Sequence, residues 1–190
     1  MNRTIWVVAA AFLLALAAQA QQARSEVHPV SDVVRQLLAR QSQNIIAAVE
    51  ELPAEKFDFR PTPQQMTFAH LVTHMAESNT LLCSRIGNVS APPQVKLVDT
   101  DKKPKLVEGL RQSFDFCSRA LDKVDDSKLA ETINVFGAKR VSRVAAMFAL
   151  TNDWADHYSA AAMYLRLNGL LPPTAKNAGP QSRETPNKPK

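Results

Sequence analysis

Four stretches of this 190-residue chain repeat apolar side chains every three or four positions, the spacing of one face of an α-helix. They cover about 31–51, 67–86, 103–124 and 141–168. Residues 128–139 fit either a short β-like stretch or an extended loop, and no series of strands is visible. The pattern predicts an all-α fold, most simply a four-helix bundle, with a long connection over 88–102 between the second and third helices.

The first 20 residues have the composition of a signal peptide. Arg3 precedes the apolar run Ile5–Leu16, and Ala18-Gln19-Ala20 gives the small residues of a cleavage site. The apolar run is shorter than the ~20 residues that a spanning helix needs. We therefore expect an exported protein, periplasmic or secreted, that begins near Gln21 and has no stable membrane insertion after cleavage. An uncleaved anchor is the alternative.

The remaining chain divides into a lead-in (21–30), a bundle domain (31–173) and a tail (174–190). The tail is rich in Pro, Asn, Lys and Ser, so we expect it to be disordered. The whole chain carries a net charge of +5, but 21–173 carries 18 basic and 17 acidic residues. This near-neutral balance argues against nucleic-acid binding.

Cys83 and Cys117 are the only cysteines. Both lie well inside apolar helical segments: Cys83 sixteen residues after Thr67, and Cys117 fourteen residues after Lys103. If those helices run parallel, a difference of two residues at ~1.5 Å per residue places both cysteines at nearly the same height. We predict a disulfide, with buried free thiols as the alternative.

Two polar pairs interrupt the apolar helical faces. His70 and His74 stand four apart in the second segment, as do Asp153 and His157 in the last. This spacing puts both members of a pair on one helical face. Because His74 follows the stripe of Leu71, it is expected to point inward.

Imidazole and carboxylate together suit a divalent ion such as Zn, Ni, Fe or Mn, and three such ligands leave positions open for water or substrate. We predict His74, Asp153 and His157 as metal ligands, with His70 and Asp156 as neighbours that orient them. A buried aspartate–histidine hydrogen bond without metal explains the same residues, and the sequence leaves both readings open.

At these residues the chain resembles the DinB/YfiT-like family, which includes metalloenzymes. The resemblance covers about 31–173 and is carried by FDFRPTPQQMTFAHLVTHMAESN and DHYSAAAMYLRLNGLLPP. It implies a four-helix bundle of up-down-down-up order with the second and third helices parallel. It also implies three histidine ligands, of which His74 and His157 match, while Asp153 stands where the family has the third.

The resulting prediction is an exported DinB-like protein that activates water or a small nucleophile at a divalent metal, as a hydrolase or transferase. The alternative is a non-catalytic helical bundle, binding or structural, whose metal site is degenerate. Some relatives use low-molecular-weight thiols, which are mainly cytosolic, so an exported member is a poor candidate for that reaction. The expected partners are a small-molecule ligand or substrate of open identity and, as an option, a second copy of this chain.

Overall fold

The computed structural model describes residues 28–93, 96–137 and 139–177, so the predicted signal peptide and most of the lead-in and tail lie outside the described residues. The predicted all-α class is confirmed. Four long helices form a bundle, and one small hairpin lies between the third and the fourth. These elements are α1 (Pro29–Glu51), α2 (Phe68–Gly87), α3 (Lys103–Leu121), β1 (Thr132–Phe136), β2 (Lys139–Ser142), α4 (Arg143–Leu167) and the short α5 (Pro173–Asn177).

Local chemistry accounts for the ends of the helices. Helix α1 begins at Pro29, two residues earlier than expected, because proline is tolerated in a first turn where no N–H partner is needed. The Thr67 side chain accepts a hydrogen bond from the N–H of His70 and caps α2. The C-cap of α2 is Asn88, which adopts the left-handed conformation with φ 51°.

Helices α2 and α3 run parallel. Asn79 on α2 hydrogen-bonds Ser113 on α3, and one turn further along both helices Cys83 lies against Cys117. The two cysteines form a disulfide in the structure, with their Cα atoms 5.1 Å apart. The pairing arises from the equal heights that the spacing of the cysteines suggested.

The core fills the space between the four helices. Its fully buried large side chains are Trp154, Phe68, Ile45, Leu52, Leu82, Ile86, Leu106, Leu110, Leu121, Met147, Leu150 and Leu165. A buried polar chain crosses this core: Trp154 donates through Nε1 to Asn79 Oδ1 at 2.7 Å, and Asn79 donates through Nδ2 to Ser113 Oγ at 3.0 Å. Three helices are thereby held in one register.

The stretch left undecided by the sequence is an antiparallel hairpin, with Ile133 opposite Val141 and an irregularity between Asn134 and Phe136. The hairpin leads directly into α4. None of the described helices combines the length and the apolarity needed to cross a membrane.

The boundary between bundle and tail lies further along than predicted. Residues Pro173–Asn177 form α5, where Lys176 pairs with Glu51 at 2.7 Å and Thr174 hydrogen-bonds Tyr158. Residues 174–177 therefore pack on the bundle. The side chains of Lys176 and Thr174 bind polar groups on α1 and α4 and take the place of apolar contacts.

Candidate functional site

The candidate site lies where α2 and α4 cross. The two helices are antiparallel, since Met66 near the start of α2 accepts a hydrogen bond from Tyr164 near the end of α4, while Ser78 meets Asp153. This direction brings the middle of α2 beside the middle of α4. Residues 74 and 157 consequently face each other across the groove between the helices.

Three of the predicted residues come together there. The imidazole rings of His74 and His157 have their centroids 5.0 Å apart at an angle of 58°. The Nδ1 of His157 lies 3.3 Å from Asp153 Oδ2 and 2.6 Å from the Asp153 backbone carbonyl oxygen. Because Nδ1 faces two acceptors, it carries a proton and donates to Asp153. The second ring nitrogen, Nε2, takes no part in these two contacts.

Asp153 has a second partner. Ser78 Oγ donates to Asp153 Oδ2 at 2.9 Å, so a single carboxylate oxygen faces both the serine and the histidine. The side chains of Asp153 and His157 retain 24% and 12% of their accessible surface, so the pair is only partly shielded from solvent. Ser78, Asp153 and His157 form a continuous hydrogen-bonded series from α2 to α4.

The electrostatics of the pair favour the charged forms of both residues. Burial by itself raises the pKa of Asp153, but hydrogen bonds from His157 and Ser78 and the nearby imidazoles outweigh it and lower that pKa. Burial likewise lowers the pKa of His157, but the bond to Asp153 and the charges of Asp153 and Asp156 raise it overall. The two pKa shifts both act in the direction of the charged forms of Asp153 and His157.

His74 does not point inward, contrary to the prediction from the apolar stripe. The core face of α2 at this level passes through Val72, Met75 and Ala76, which are buried, whereas His74 is exposed. The histidine lies at the edge of the stripe, where its ring reaches the His157 ring from the solvent side.

The arrangement does not fit a preformed metal centre. No group of three or more His, Cys, Asp or Glu side chains in the described part of the chain is placed to hold a metal ion. The donor types would suit one, and the contact of His157 Nδ1 with Asp153 leaves Nε2 for a ligand, but one oxygen of Asp153 is already shared by Ser78 and His157. The assignment of His74, Asp153 and His157 as ligands stays a prediction.

His70 and Asp156, predicted as neighbours that orient the ligands, lie in different environments. His70 Nδ1 lies 2.8 Å from Asp99 Oδ2, and Thr73 donates to the other oxygen of Asp99, which fastens the connection after α2 to that helix. Asp156 is exposed and acts on His157 through its charge. Their predicted roles as orienting neighbours stay predictions.

Sequence reasoning missed two partners at this crossing. Neither Ser78 nor Asn79 was identified as a partner, although each hydrogen-bonds a residue of α4 that lies 75 positions away in the chain. A polar Ser-Asn pair inside an apolar helical face was the available signal. It could not identify the partners without the register of the two helices.

Comparison with known proteins identifies the family whose sequence model this chain matches. The sequence model of the DinB superfamily matches residues 37–159. That segment includes α2, the hairpin and the part of α4 that carries Asp153 and His157. No curated protein matches the chain.

Solved structures with the same fold are distant in sequence. A DinB-like protein from Bacillus cereus superposes with a TM-score of 0.62 at 17% identity, covering 74% of this chain and 93% of its own. A DinB-like protein from Bacillus subtilis gives 0.59 at 18% identity, covering 72% and 92%. A mycothiol-dependent maleylpyruvate isomerase gives 0.56 at 10% identity, covering 68% and 59%. Identities this low show a shared fold alone.

Proposed function

Because this chain belongs to the DinB superfamily, we propose that it is an exported DinB-like binding protein whose metal site has become degenerate. The single observation that supports the proposal is the engagement of Asp153, whose Oδ2 accepts from Ser78 and faces His157 Nδ1. A carboxylate held in this way raises the pKa of His157, so a metal ion would have to compete with a proton for that imidazole.

The same cluster suits the binding of a small polar molecule. His157 contributes a partly accessible imidazole whose pKa is raised by Asp153, and the exposed ring of His74 lies beside it, 5.0 Å between centroids. Two imidazoles at the edge of a helical groove offer N–H donors and flat ring faces to an anionic or hydroxylated ligand. In this proposal the cluster binds and does not catalyse.

A metal-dependent hydrolase or transferase is the second candidate. Its support is the convergence of two imidazoles and one carboxylate from facing helices, a donor set suited to Zn, Ni, Fe or Mn. A bound ion would supply an activated water or other nucleophile. The protein's own part would be to offer an oxygen of Asp153 and to keep both imidazoles neutral, with one ring nitrogen of each free of a proton.

A substitution that restores the histidine implied by the family resemblance separates the candidates. The wild type, Asp153→His and His157→Ala are purified without chelator, analysed for metal content and titrated with Zn²⁺ and Ni²⁺. A degenerate site predicts no stoichiometric metal in the wild type and at least about tenfold tighter binding in Asp153→His, which adds a third imidazole. Asp156→His, an added histidine on the exposed neighbour, is the matched control and should bind no better than the wild type.

Metal binding by the wild-type protein would support the metal-dependent enzyme. Stoichiometric metal in the wild type that disappears in His157→Ala, with the helical circular dichroism unchanged, would overturn the degenerate-site proposal. An unchanged affinity in Asp153→His relative to Asp156→His would also contradict it. The circular dichroism measurement is needed for each variant because Asp153 connects two helices.

A further inference from the structure

A polar cleft lies at the end of the bundle where α2 finishes and the hairpin enters α4. It has a volume of about 680 Å³ and is lined by residues from the end of α2, from the segment that follows it, from β1 and from the start of α4. The volume falls within the usual range of small-molecule sites, ~300–1,000 Å³. Ser84 of this lining lies ten residues beyond His74 on α2, ~15 Å along the helix, so the cleft is separate from the histidine cluster.

Arg143 is the buried charge of this cleft. It is the first residue of α4 and only 5% of its surface is exposed. Its Nη1 donates to the carbonyl oxygen of Ile86 at the end of α2, and its Nη2 donates to Glu131 Oε2 at 2.6 Å. Within the described residues its Nε has no hydrogen-bond partner. A buried guanidinium donor without an acceptor is uncommon because its desolvation is left uncompensated.

The unpaired Nε and the paired Nη2 belong to the same edge of the guanidinium. The two N–H groups on this edge point in parallel and match the two oxygens of one carboxylate. Glu131 supplies one oxygen to Nη2 and leaves Nε unfilled. The Glu131 side chain is 54% exposed, so it can move into solvent at little cost in packing.

We infer that this cleft binds a small hydroxylated or amide-bearing monocarboxylate, whose carboxylate replaces Glu131 on the Nε–Nη2 edge of Arg143. Glu131 then acts as an internal stand-in for the ligand when the cleft is free. Binding exchanges a contact of one oxygen for a contact of two, and it satisfies the buried Nε.

The rest of the lining fits the same ligand class. Arg85 adds a second cation, so the charged side chains are two arginines against Glu131 and favour a single negative charge. Asn88 and Asn134 offer amide groups, and Ser84 offers a hydroxyl group, for the neutral polar part of the ligand. A dication or an extended apolar molecule finds no matching groups here.

Nuclear magnetic resonance of the arginine Nε–Hε groups tests the inference directly. The full mature chain is titrated with sodium lactate, and with lactamide as the neutral isostere at matched ionic strength. The Nε–Hε signal that is absent in Arg143→Lys should shift saturably with lactate and stay in place with lactamide. Arg85→Ala should weaken the lactate affinity several-fold.

Glu131→Gln provides the decisive variant because it removes the competing carboxylate while keeping Arg143 and its bond to Ile86. We expect lactate to bind at least about threefold more tightly to it than to the wild type. Glu55→Gln, a change at an exposed glutamate away from the cleft, should leave the affinity unchanged. No saturable shift of the Arg143 signal in either the wild type or Glu131→Gln would overturn the inference, as would equal shifts with lactate and lactamide. Neither result bears on metal binding by the histidine cluster.

Discussion

The carboxylate of Asp126 caps the first turn of α1 by binding Ser31, a residue that lies 95 positions earlier in the chain. Its Oδ1 accepts from the Ser31 N–H at 2.9 Å and from the Ser31 hydroxyl, while its Oδ2 accepts from the Val30 N–H at 2.9 Å. The residue that precedes α1, His28, provides no side-chain cap. A negative group from a distant turn therefore satisfies the free N–H groups of this helix and faces the positive end of its dipole.

Asp126→Ala removes this cap and should lower the free energy of unfolding by about 1 kcal/mol, the usual cost of losing an N-cap. Burial alone raises the pKa of Asp126, but the Ser31 hydroxyl and the N–H groups of Val30 and Ser31 outweigh it and lower the pKa below the ordinary 3.8. A lowered folded-state pKa contributes stability that is present above the unfolded value and lost as the pH falls through the folded value.

Urea unfolding of the wild type and Asp126→Ala from pH 7 down to pH 2.5 measures this effect. The difference in unfolding free energy should be largest at neutral pH and should shrink below about pH 4. Asp58→Ala, at an exposed aspartate, is the control. A difference that is constant across the whole pH range would show that the charge of Asp126 does not contribute.

Reduction of the Cys83–Cys117 disulfide should lower the free energy of unfolding by about 2–4 kcal/mol, because the bond closes a loop of 34 residues in the unfolded chain. Chemical unfolding with and without reductant measures the difference. The double variant Cys83→Ala/Cys117→Ala should be insensitive to reductant. If the wild type shows two free thiols after purification under oxidising conditions, the pairing is wrong.

Two helical glycines should respond differently to alanine. A Cβ at Gly87 would lie 2.5 Å from the backbone oxygen of Ala120, which can move only if α2 and α3 separate. A Cβ at Gly109 would meet only the side-chain atoms of Leu97 on the connection between those helices.

We therefore expect Gly87→Ala to cost about 1–3 kcal/mol through overpacking. Gly109→Ala should be close to neutral, since the helix-propensity gain of ~1 kcal/mol offsets a small movement of Leu97. Thermal unfolding of both variants decides the comparison. Equal melting temperatures for the two would contradict the close contact between α2 and α3.

The sequence predicted the helices well because periodicity and end signals are local. The Thr67 cap and the extents of α2 and α4 follow from neighbours in the chain. Helix α2 ends at Gly87, one residue later than predicted, and Asn88 caps it in the left-handed conformation. Packing explains the glycine at position 87, because a Cβ there would meet the backbone of Ala120.

The candidate site was only partly predictable for a different reason. Spacing placed Asp153 and His157 on one helical face, and the apolar stripe of α2 added His74; the family resemblance then matched His74 and His157 to ligand positions. The exposure of His74 and the bond from Ser78 to Asp153 depend on how α2 is rotated against α4, which no local pattern specifies. Arg143 and Glu131 were missed as well, because the hairpin that brings them together was left undecided.

Asn79 should be the most sensitive polar residue of the core. It accepts from Trp154 and donates to Ser113 in a fully buried setting, so Asn79→Ala leaves the Trp154 N–H without an acceptor and creates a cavity. A buried donor left without an acceptor costs ~1–3 kcal/mol, and we expect a total loss of about 2–4 kcal/mol in the free energy of unfolding.

In a chain beginning at Gln21, Trp154 is the only tryptophan, so its fluorescence reports this site alone. The measurement is urea unfolding followed at the tryptophan emission maximum, with Asn152→Ala, at an exposed asparagine, as the matched control. If Asn79→Ala unfolds at the same urea concentration as Asn152→Ala, the buried polar chain does not hold the three helices in register.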